Sequence, residues 1–163
     1  MGFLLATGLG KYGAQIIIND ITAERAELAV EKLHQEGIQA VAAPFNVTHK
    51  HEIDAAVEHI EKDIGPIDVL VNNAGAMTKA PFLDMAFDEW RKIFTVDVDG
   101  AFLCSQIAAR QMVKQGQGGR IINITSVHEH TPLPDASAYT AAKHALGGLT
   151  KAMALELVRH KIL

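Results

Sequence analysis

The chain has 163 residues, of which 48% are hydrophobic and 21% are charged, and its formal net charge is −4. This composition predicts a single soluble globular domain over residues 1–163, able to bury roughly 70% of its unfolded surface. The acidic balance and the lack of a basic run argue against nucleic acid as a partner, and no apolar run approaches the roughly 18–20 residues of a membrane span. The lone Cys104 allows no internal disulfide, which is typical of a reducing, cytoplasmic setting, and it is expected in a helix core.

The first predicted element is a helix from Gly2 to about Lys11. It overlaps the segment GLGKYG, residues 8–13, which matches the dinucleotide fingerprint G-x-G-x-x-G letter for letter. That fingerprint binds a pyrophosphate only when a strand precedes the glycines and a helix follows them. Here a strand, Gln15–Asn19, is predicted to follow them. We therefore interpret the glycines as a helix end and a turn.

Further along the chain, helical and extended patterns alternate. The predicted helices are Ala23–Gln35, His49–Ile64, Asp84–Phe94, Gly100–Gln115 and Ala138 to about His160, and the predicted strands are Gln39–Val47, Ile67–Val71 and Ile121–Ile124. Thr22 and Thr48 are the predicted caps of the first two of these helices, and Pro44, which lacks an N–H donor, is typical of an edge strand. Apolar strands separated by helices predict an α/β fold of three layers with a mainly parallel sheet.

A candidate catalytic group lies between Gly119 and Lys151. Tyr139 and Lys143 are four residues apart on a predicted helix, so they share one face. Ser126 follows the carboxyl end of a predicted strand. Phenols ordinarily lose their proton near pH ~10, and a nearby cation favours the phenolate. A hydroxyl, a phenol and an ammonium group around one carbonyl would support acid/base chemistry.

Two further motifs occur in a consistent order with this group. DVLVNNAG, Asp68–Gly75, is a buried-strand pattern that ends in an Asn-Asn-Ala-Gly turn, and GRIINITS, Gly119–Ser126, precedes the Tyr-x-x-x-Lys helix. With these motifs the chain resembles the short-chain dehydrogenase/reductase family. The resemblance implies a Rossmann-like fold and hydride transfer between NAD or NADP and a small-molecule carbonyl or secondary alcohol, of the keto-sugar acid type.

The resemblance also implies roles for individual catalytic residues. Tyr139 is the implied acid/base, Lys143 holds the cofactor ribose and assists the phenol, and Ser126 orients the substrate oxygen. Asp97 stands where the family has its fourth catalytic residue, an Asn. This departure puts a proton relay in doubt, because an ionised carboxylate accepts hydrogen bonds but cannot donate them.

Cofactor-binding residues are implied in the same way. They are Gly2, Asp20, Asn46, Val47, Asn73, Ala74 and Gly75, together with Tyr139 and Lys143. Asp20 favours NAD over NADP, because a carboxylate accepts from the ribose 2′-hydroxyl and repels a 2′-phosphate. The alternative for Asp20 is a strand-end cap for the next helix.

The resemblance has a consequence for the sheet. The family's central first strand and most of its glycine turn have no counterpart here, so the chain is expected to keep strands two to five. We expect the four strands to close into one sheet of flavodoxin-like order 2-1-3-4, with a strand-exchanged homodimer as the competing outcome. The family's later strand and helix units, which follow the last predicted helix, have no counterpart here either, so we expect impaired turnover, weak or absent, from this chain. The alternative is a catalytically silent folded domain that binds no cofactor.

Two smaller features remain. Residues 2–75 resemble a keto-sugar-acid reductase of the family and residues 76–163 another member, which raises the hypothesis of a chimera joined near residues 72–76. His128, Glu129 and His130 cluster in sequence near Asp135. We interpret this loop as facing the substrate or solvent and predict no metal site, since His128 and His130 are two residues apart and no third ligand is fixed.

Overall fold

A computed structural model describes all 163 residues and gives an α/β fold in which helices and strands alternate along the chain. The helices are α1 (Gly2–Lys11), α2 (Ala23–Gln35), α3 (Lys50–Asp63), α4 (Phe87–Phe94), α5 (Ala101–Gln115) and α6 (Ser137–Leu157), and the strands are β1 (Ile16–Ile18), β2 (Ala40–Ala42), β3 (Val69–Asn72) and β4 (Arg120–Asn123). Short 3₁₀ turns cover Phe82–Asp84, Val127–Glu129 and Val158–His160.

The strands pair in parallel, as predicted. β1 pairs with β2, and β3 pairs with β4 in a register that sets Asn72 opposite Asn123. Because the last residues of β3 and β4 are partners, the segments that follow them leave the sheet at the same edge. These segments carry the Asn-Asn-Ala-Gly turn and Ser126.

The prediction of one four-stranded sheet in the order 2-1-3-4 is wrong, because the strands form two separate sheets, β1-β2 and β3-β4. Each sheet has its own core. Ala6, Leu33 and Ile38 pack on β1 and β2, whereas α5 covers β3 with a different set that includes Ile107. Direct pairing of β1 with β3 would require both packed layers to shift, and close-packed interiors resist such shifts.

Helix α1 also limits such a shift. A Cβ atom on Gly2 would lie 2.9 Å from Asn73 Nδ2, so the first turn of α1 already abuts the turn that follows β3. The glycine allows this close approach, because any side chain there would displace Asn73. Exchange of a strand between two chains, the competing outcome, stays a prediction.

The second strand is shorter than the predicted Gln39–Val47. β2 ends at Ala42, and beyond it the Asn19 side chain donates to the carbonyls of Ala43 (3.2 Å) and Phe45 (2.9 Å). A side-chain amide therefore takes up the carbonyls on both sides of Pro44, while the N–H groups of Ala43 and Phe45 donate to the carbonyls of Ile18 and Asp20. Since β2 pairs only with β1, it is an edge strand, as Pro44 predicted.

The start of α3 also differs from the prediction. The helix begins at Lys50 with His49 as its N-cap, and Thr48 does not cap it. Instead, Asn46 Oδ1 accepts from the Thr48 N–H (3.0 Å), and the Asn46 N–H donates to Glu52 (2.8 Å). The Asn46 N–H and the neighbouring His49 ring hold the pKa of Glu52 below its ordinary value. These contacts fix the segment after β2.

The GLGKYG segment has the structure that we inferred. Gly8 and Gly10 lie inside α1, and Gly13 adopts a φ of 92° in the turn that follows. A methyl group on Gly10 would overlap Ile38, so this glycine serves helix packing. No helix of the structure combines the length and the hydropathy that a membrane crossing requires.

Cys104 lies in the core as predicted, with 6% of its surface exposed, against Ile53, Val57 and Ile107. Burial raises the pKa of its thiol to about 11. The thiolate is the reactive form, so we expect a thiol-specific chromogenic reagent at pH ~8 to leave the native protein unlabelled and to modify one thiol per chain after denaturation. Rapid labelling of the folded protein would contradict the placement of Cys104.

Candidate active site

Polar side chains tie the carboxyl ends of β3 and β4 to the helices beside them. Asn72 Nδ2 donates to Asn123 Oδ1 and to Ser105 Oγ, both at 2.8 Å, and Asn123 Nδ2 donates to Thr150 Oγ1 at 2.8 Å. This network joins α5 to α6 across the sheet edge, so it fixes the frame on which the candidate site is built. Sequence reasoning did not single out these residues, although two asparagines that end parallel strands are a usable signal.

Asp97 lies between the two helices that the sequence predicts over Asp84–Phe94 and Gly100–Gln115. There α4 passes into α5 through a π-helical segment, Thr95–Gly100, a distortion that is frequent at functional sites. The Asp97 side chain is fully buried, and its Oδ1 accepts from the Ala76 N–H at 2.6 Å. Asp97 therefore anchors the turn that follows β3.

The second oxygen of Asp97 faces Lys143. Oδ2 lies 3.1 Å from Lys143 Nζ, with 5% of the lysine side chain exposed. Oδ2 makes no hydrogen bond of good geometry, so this contact is an ion pair rather than a hydrogen bond. Charges buried this deeply are found in proteins only when they are paired.

Lys143 has two further neighbours. Its Nζ donates to the Ile124 carbonyl at 3.2 Å and lies 5.5 Å from the centre of the Tyr139 ring. An ammonium group has three N–H donors, and the Ile124 carbonyl and Asp97 face two of its directions. One donor direction remains for a ligand hydroxyl. Tyr139 and Lys143 both lie in α6 and their side chains are in contact, so their predicted placement on one helix face is confirmed.

Ser126 and Tyr139 are connected through His128. Ser126 Oγ accepts from the His128 N–H at 3.1 Å, which leaves the serine hydroxyl hydrogen available to another acceptor. The His128 ring lies against the Tyr139 ring, with centroids 6.3 Å apart and planes at 71°. Tyr139 Oη has no hydrogen-bond partner within the protein. Ser126 and Tyr139 are thus two hydroxyl groups that each keep a hydrogen for a ligand.

The other residues of the loop lie apart from this group. Glu129 packs over Gly147 of α6, His130 is exposed, and Asp135 adopts a φ of 60°. No group of three or more His, Cys, Asp or Glu side chains has a geometry that could hold a metal ion.

Gly75, one of the predicted cofactor residues, lies beside Asp97 and Lys143. A Cβ atom on Gly75 would lie 3.3 Å from Asp97 Oδ2 and 3.6 Å from Lys143 Nζ, so only a residue without a side chain leaves this space open. Ala74 is exposed beside it, and Asn73 meets the first turn of α1 at Gly2.

Asp20 and Asn46, two other predicted cofactor residues, lie in the segments that follow β1 and β2. Asp20 Oδ1 accepts from the Thr22 N–H (3.1 Å) and hydroxyl (3.3 Å), so Asp20 organises the start of α2, as the alternative interpretation held. Its other oxygen remains free to accept. Asn46 holds Thr48, and Val47 packs against Gly100.

The residues present fit a nicotinamide dinucleotide. Lys143 keeps a free donor direction, Gly75 leaves an open surface beside it, and the first turn of α1 offers N–H groups next to Asn73. Helix N-termini of this kind favour a pyrophosphate.

The fold and the site define a Rossmann-like α/β protein with a serine, tyrosine and lysine at the carboxyl edge of its strands. The family model described as short chain dehydrogenase matches residues 1–163. The chain belongs to this family, as the sequence motifs predicted.

Individual relatives agree with this assignment. The 5-keto-D-gluconate 5-reductase of Escherichia coli K12 is 64% identical over 162 residues, which are 99% of this chain and 63% of the relative. The solved acetoin dehydrogenase of Enterobacter cloacae is 61% identical with a TM-score of 0.87, over 97% of this chain and 63% of that chain.

A third relative was solved with a cofactor. The gluconate 5-dehydrogenase of Burkholderia cenocepacia, in complex with NADP and tartrate, is 38% identical with a TM-score of 0.94, over 99% of this chain and 63% of that chain. The chain therefore spans less than two thirds of the length of these three relatives. The resemblance to keto-gluconate reductases, predicted from the sequence, is confirmed.

Proposed function

We propose that the chain carries the catalytic part of an NAD(P)-dependent oxidoreductase that interconverts a carbonyl and a secondary alcohol of the keto-sugar acid type. The observation that carries this proposal is the buried ammonium of Lys143, which lies 5.5 Å from the centre of the Tyr139 ring and donates to the carbonyl of Ile124, two residues before Ser126. Family membership and the names of the relatives support the same reaction class.

The reaction follows from the residues around the carbonyl. Nicotinamide, when bound, supplies or takes up the hydride. Ser126 donates to the carbonyl oxygen and holds it, while Tyr139 transfers the proton that this oxygen gains or loses. Lys143 stabilises the phenolate by its charge and offers its free donor to a ribose hydroxyl. Asp97 holds Lys143 in place and does not relay protons in this scheme, because its carboxylate only accepts.

The cofactor choice rests on Asp20. Its free carboxylate oxygen can accept from a ribose 2′-hydroxyl, which favours NAD. Arg25 lies 3.8 Å from the same carboxylate and is the side chain that could receive a 2′-phosphate. The proposed preference for NAD is therefore tested by comparing the binding of NADH with that of NADPH.

Thermal unfolding tests cofactor binding and choice together. We expect excess NADH to raise the midpoint, because a ligand that binds only the native state stabilises it by about 2.7 kcal/mol at 100 times its Kd. NADPH should raise it less, and Asp20→Asn should narrow the difference between the two. A larger shift with NADPH would overturn the choice of NAD, and the absence of any shift together with the absence of carbonyl reduction would overturn the proposed function.

A catalytically silent folded domain is the second candidate. The observation that favours it is the lack of pairing between β1 and β3, since the dinucleotide crosses the crevice at the strand ends and an unclosed sheet leaves the crevice walls less rigid. This candidate predicts cooperative unfolding without any effect of NADH. The homodimer and the junction near residues 72–76 stay predictions, although one reductase matches on both sides of that junction.

A further inference from the structure

His128 is held rigidly beside the two hydroxyl groups of the candidate site. Its N–H donates to Ser126 Oγ at 3.1 Å, its Nδ1 lies 2.8 Å from the Thr131 carbonyl oxygen, and its ring meets the ring of Tyr139. These three contacts restrain both the backbone and the imidazole. The ring therefore has a fixed position against Tyr139 and next to Ser126.

The Thr131 contact also decides which ring nitrogen carries the hydrogen. A carbonyl oxygen can only accept, so Nδ1 must be the donor, and Nε2 of the neutral ring then presents a lone pair. Nε2 makes no hydrogen bond within the protein. His128 is half-buried, so this acceptor is available to a small molecule in the site.

No charged side chain near His128 competes for its ring as a hydrogen-bond acceptor or donor. No carboxylate lies within ion-pair distance of its ring: Glu129 is directed onto Gly147, and Asp97 is engaged by Lys143. The exposed His130 carries no partner that would reach the site. The structure thus provides two donors for the carbonyl oxygen, Ser126 and Tyr139, and one acceptor next to them, His128 Nε2.

We propose that His128 Nε2 accepts a hydrogen bond from a hydroxyl on the carbon next to the substrate carbonyl, so that the site selects α-hydroxy ketones, and the vicinal diols formed from them, over plain ketones. This inference rests on the proposed function and names its substrate class. Acetoin and 5-keto-D-gluconate, the compounds in the names of two relatives, both carry such a hydroxyl beside the ketone. The proposal itself follows from the tautomer and the position of His128.

The test compares acetoin with butanone, which has the same carbon skeleton without the hydroxyl. Initial rates of NAD(P)H oxidation at one fixed pH give kcat/KM for both ketones. His128→Phe keeps a ring against Tyr139 but removes the acceptor, so the acetoin-to-butanone ratio of kcat/KM should fall ~10-fold. His128→Gln, which restores an acceptor oxygen, should recover part of the ratio.

His130→Phe is the matched control, because it makes the same change two residues away in the same loop and should leave the ratio unaltered. An unchanged ratio in His128→Phe, or an equal loss on both ketones, would overturn the inference and assign His128 a purely structural role. 5-Keto-D-gluconate is assayed beside the two ketones, and a loss of kcat/KM in His128→Phe that is confined to this substrate would also overturn the inference and make the substrate carboxylate the partner. If the unsubstituted protein reduces no carbonyl at all, the proposed function fails and this inference fails with it.

Discussion

Tyr139→Phe is expected to lower kcat by ~10²–10⁴-fold, the range that a positioned general acid or base contributes. The substitution removes one oxygen, and Tyr139 Oη has no partner within the protein, so the packing against His128 should remain. We therefore expect the thermal midpoint to change little while turnover is lost. Steady-state oxidation of NADH with a keto-sugar acid measures the first quantity, and thermal unfolding measures the second.

The chain offers a matched control for this change. Tyr12, the other tyrosine, is 96% exposed in the turn after α1, and Tyr12→Phe should leave both turnover and stability unaltered. Retention of turnover within a few-fold in Tyr139→Phe would show that another group transfers the proton. A large fall in the thermal midpoint would show that the variant has lost its fold rather than its acid/base.

Asp97→Ala is expected to reduce the free energy of unfolding by about 3–5 kcal/mol, because it leaves the Lys143 charge buried without its partner. The Ala76 N–H loses its acceptor in the same variant, which adds to the cost. Asp97→Asn should also destabilise the protein. A carboxylate accepts from Ala76 and faces the ammonium with its other oxygen, whereas an amide must turn its NH₂ group toward one of these donors.

Urea denaturation of the two single variants and the double variant measures the coupling energy between Asp97 and Lys143. Lys143→Met alone should be destabilising because it leaves Asp97 unpaired, and the double variant should be more stable than the sum of the two losses predicts. The exposed pair Lys50–Asp54 on α3 is the control, with an expected coupling of about 0.3–0.5 kcal/mol. A coupling for Asp97 and Lys143 as small as this control would contradict the view of Lys143 as a desolvated cation.

Local features of the fold were largely predictable. The bounds of α2 agree with the structure at both ends, because its apolar residues repeat at helical spacing and Gly37 follows its last turn. Tyr139 and Lys143 were placed together for the same reason, since residues four apart on a helix are neighbours. The predicted strand over 39–47 is longer than β2, because no local pattern in the sequence indicates that the Asn19 side chain donates to the carbonyls around Pro44.

Contacts between distant segments were not predictable in the same way. The sequence showed Asp97 as a departure from the family pattern but not its ion pair with Lys143, and it placed His128 in a loop without its contact to Tyr139. Each of these contacts depends on how a loop after β3 or β4 meets α5 or α6. The expected single sheet failed for a related reason, since pairing preferences are local to strands whereas the separation of β1 from β3 is set by the helices packed on them.

By itself, the sequence determined the family, the order of helices and strands, and the residues that carry the proposed chemistry, because motifs and periodicity are properties of neighbouring residues. Only the tertiary structure decided that the strands form two sheets, that Asp97 pairs with Lys143, and that the His128 ring lies against Tyr139. These features arise from the burial of charge and the packing of distant segments. Their energies depend on surroundings that no short stretch of sequence contains.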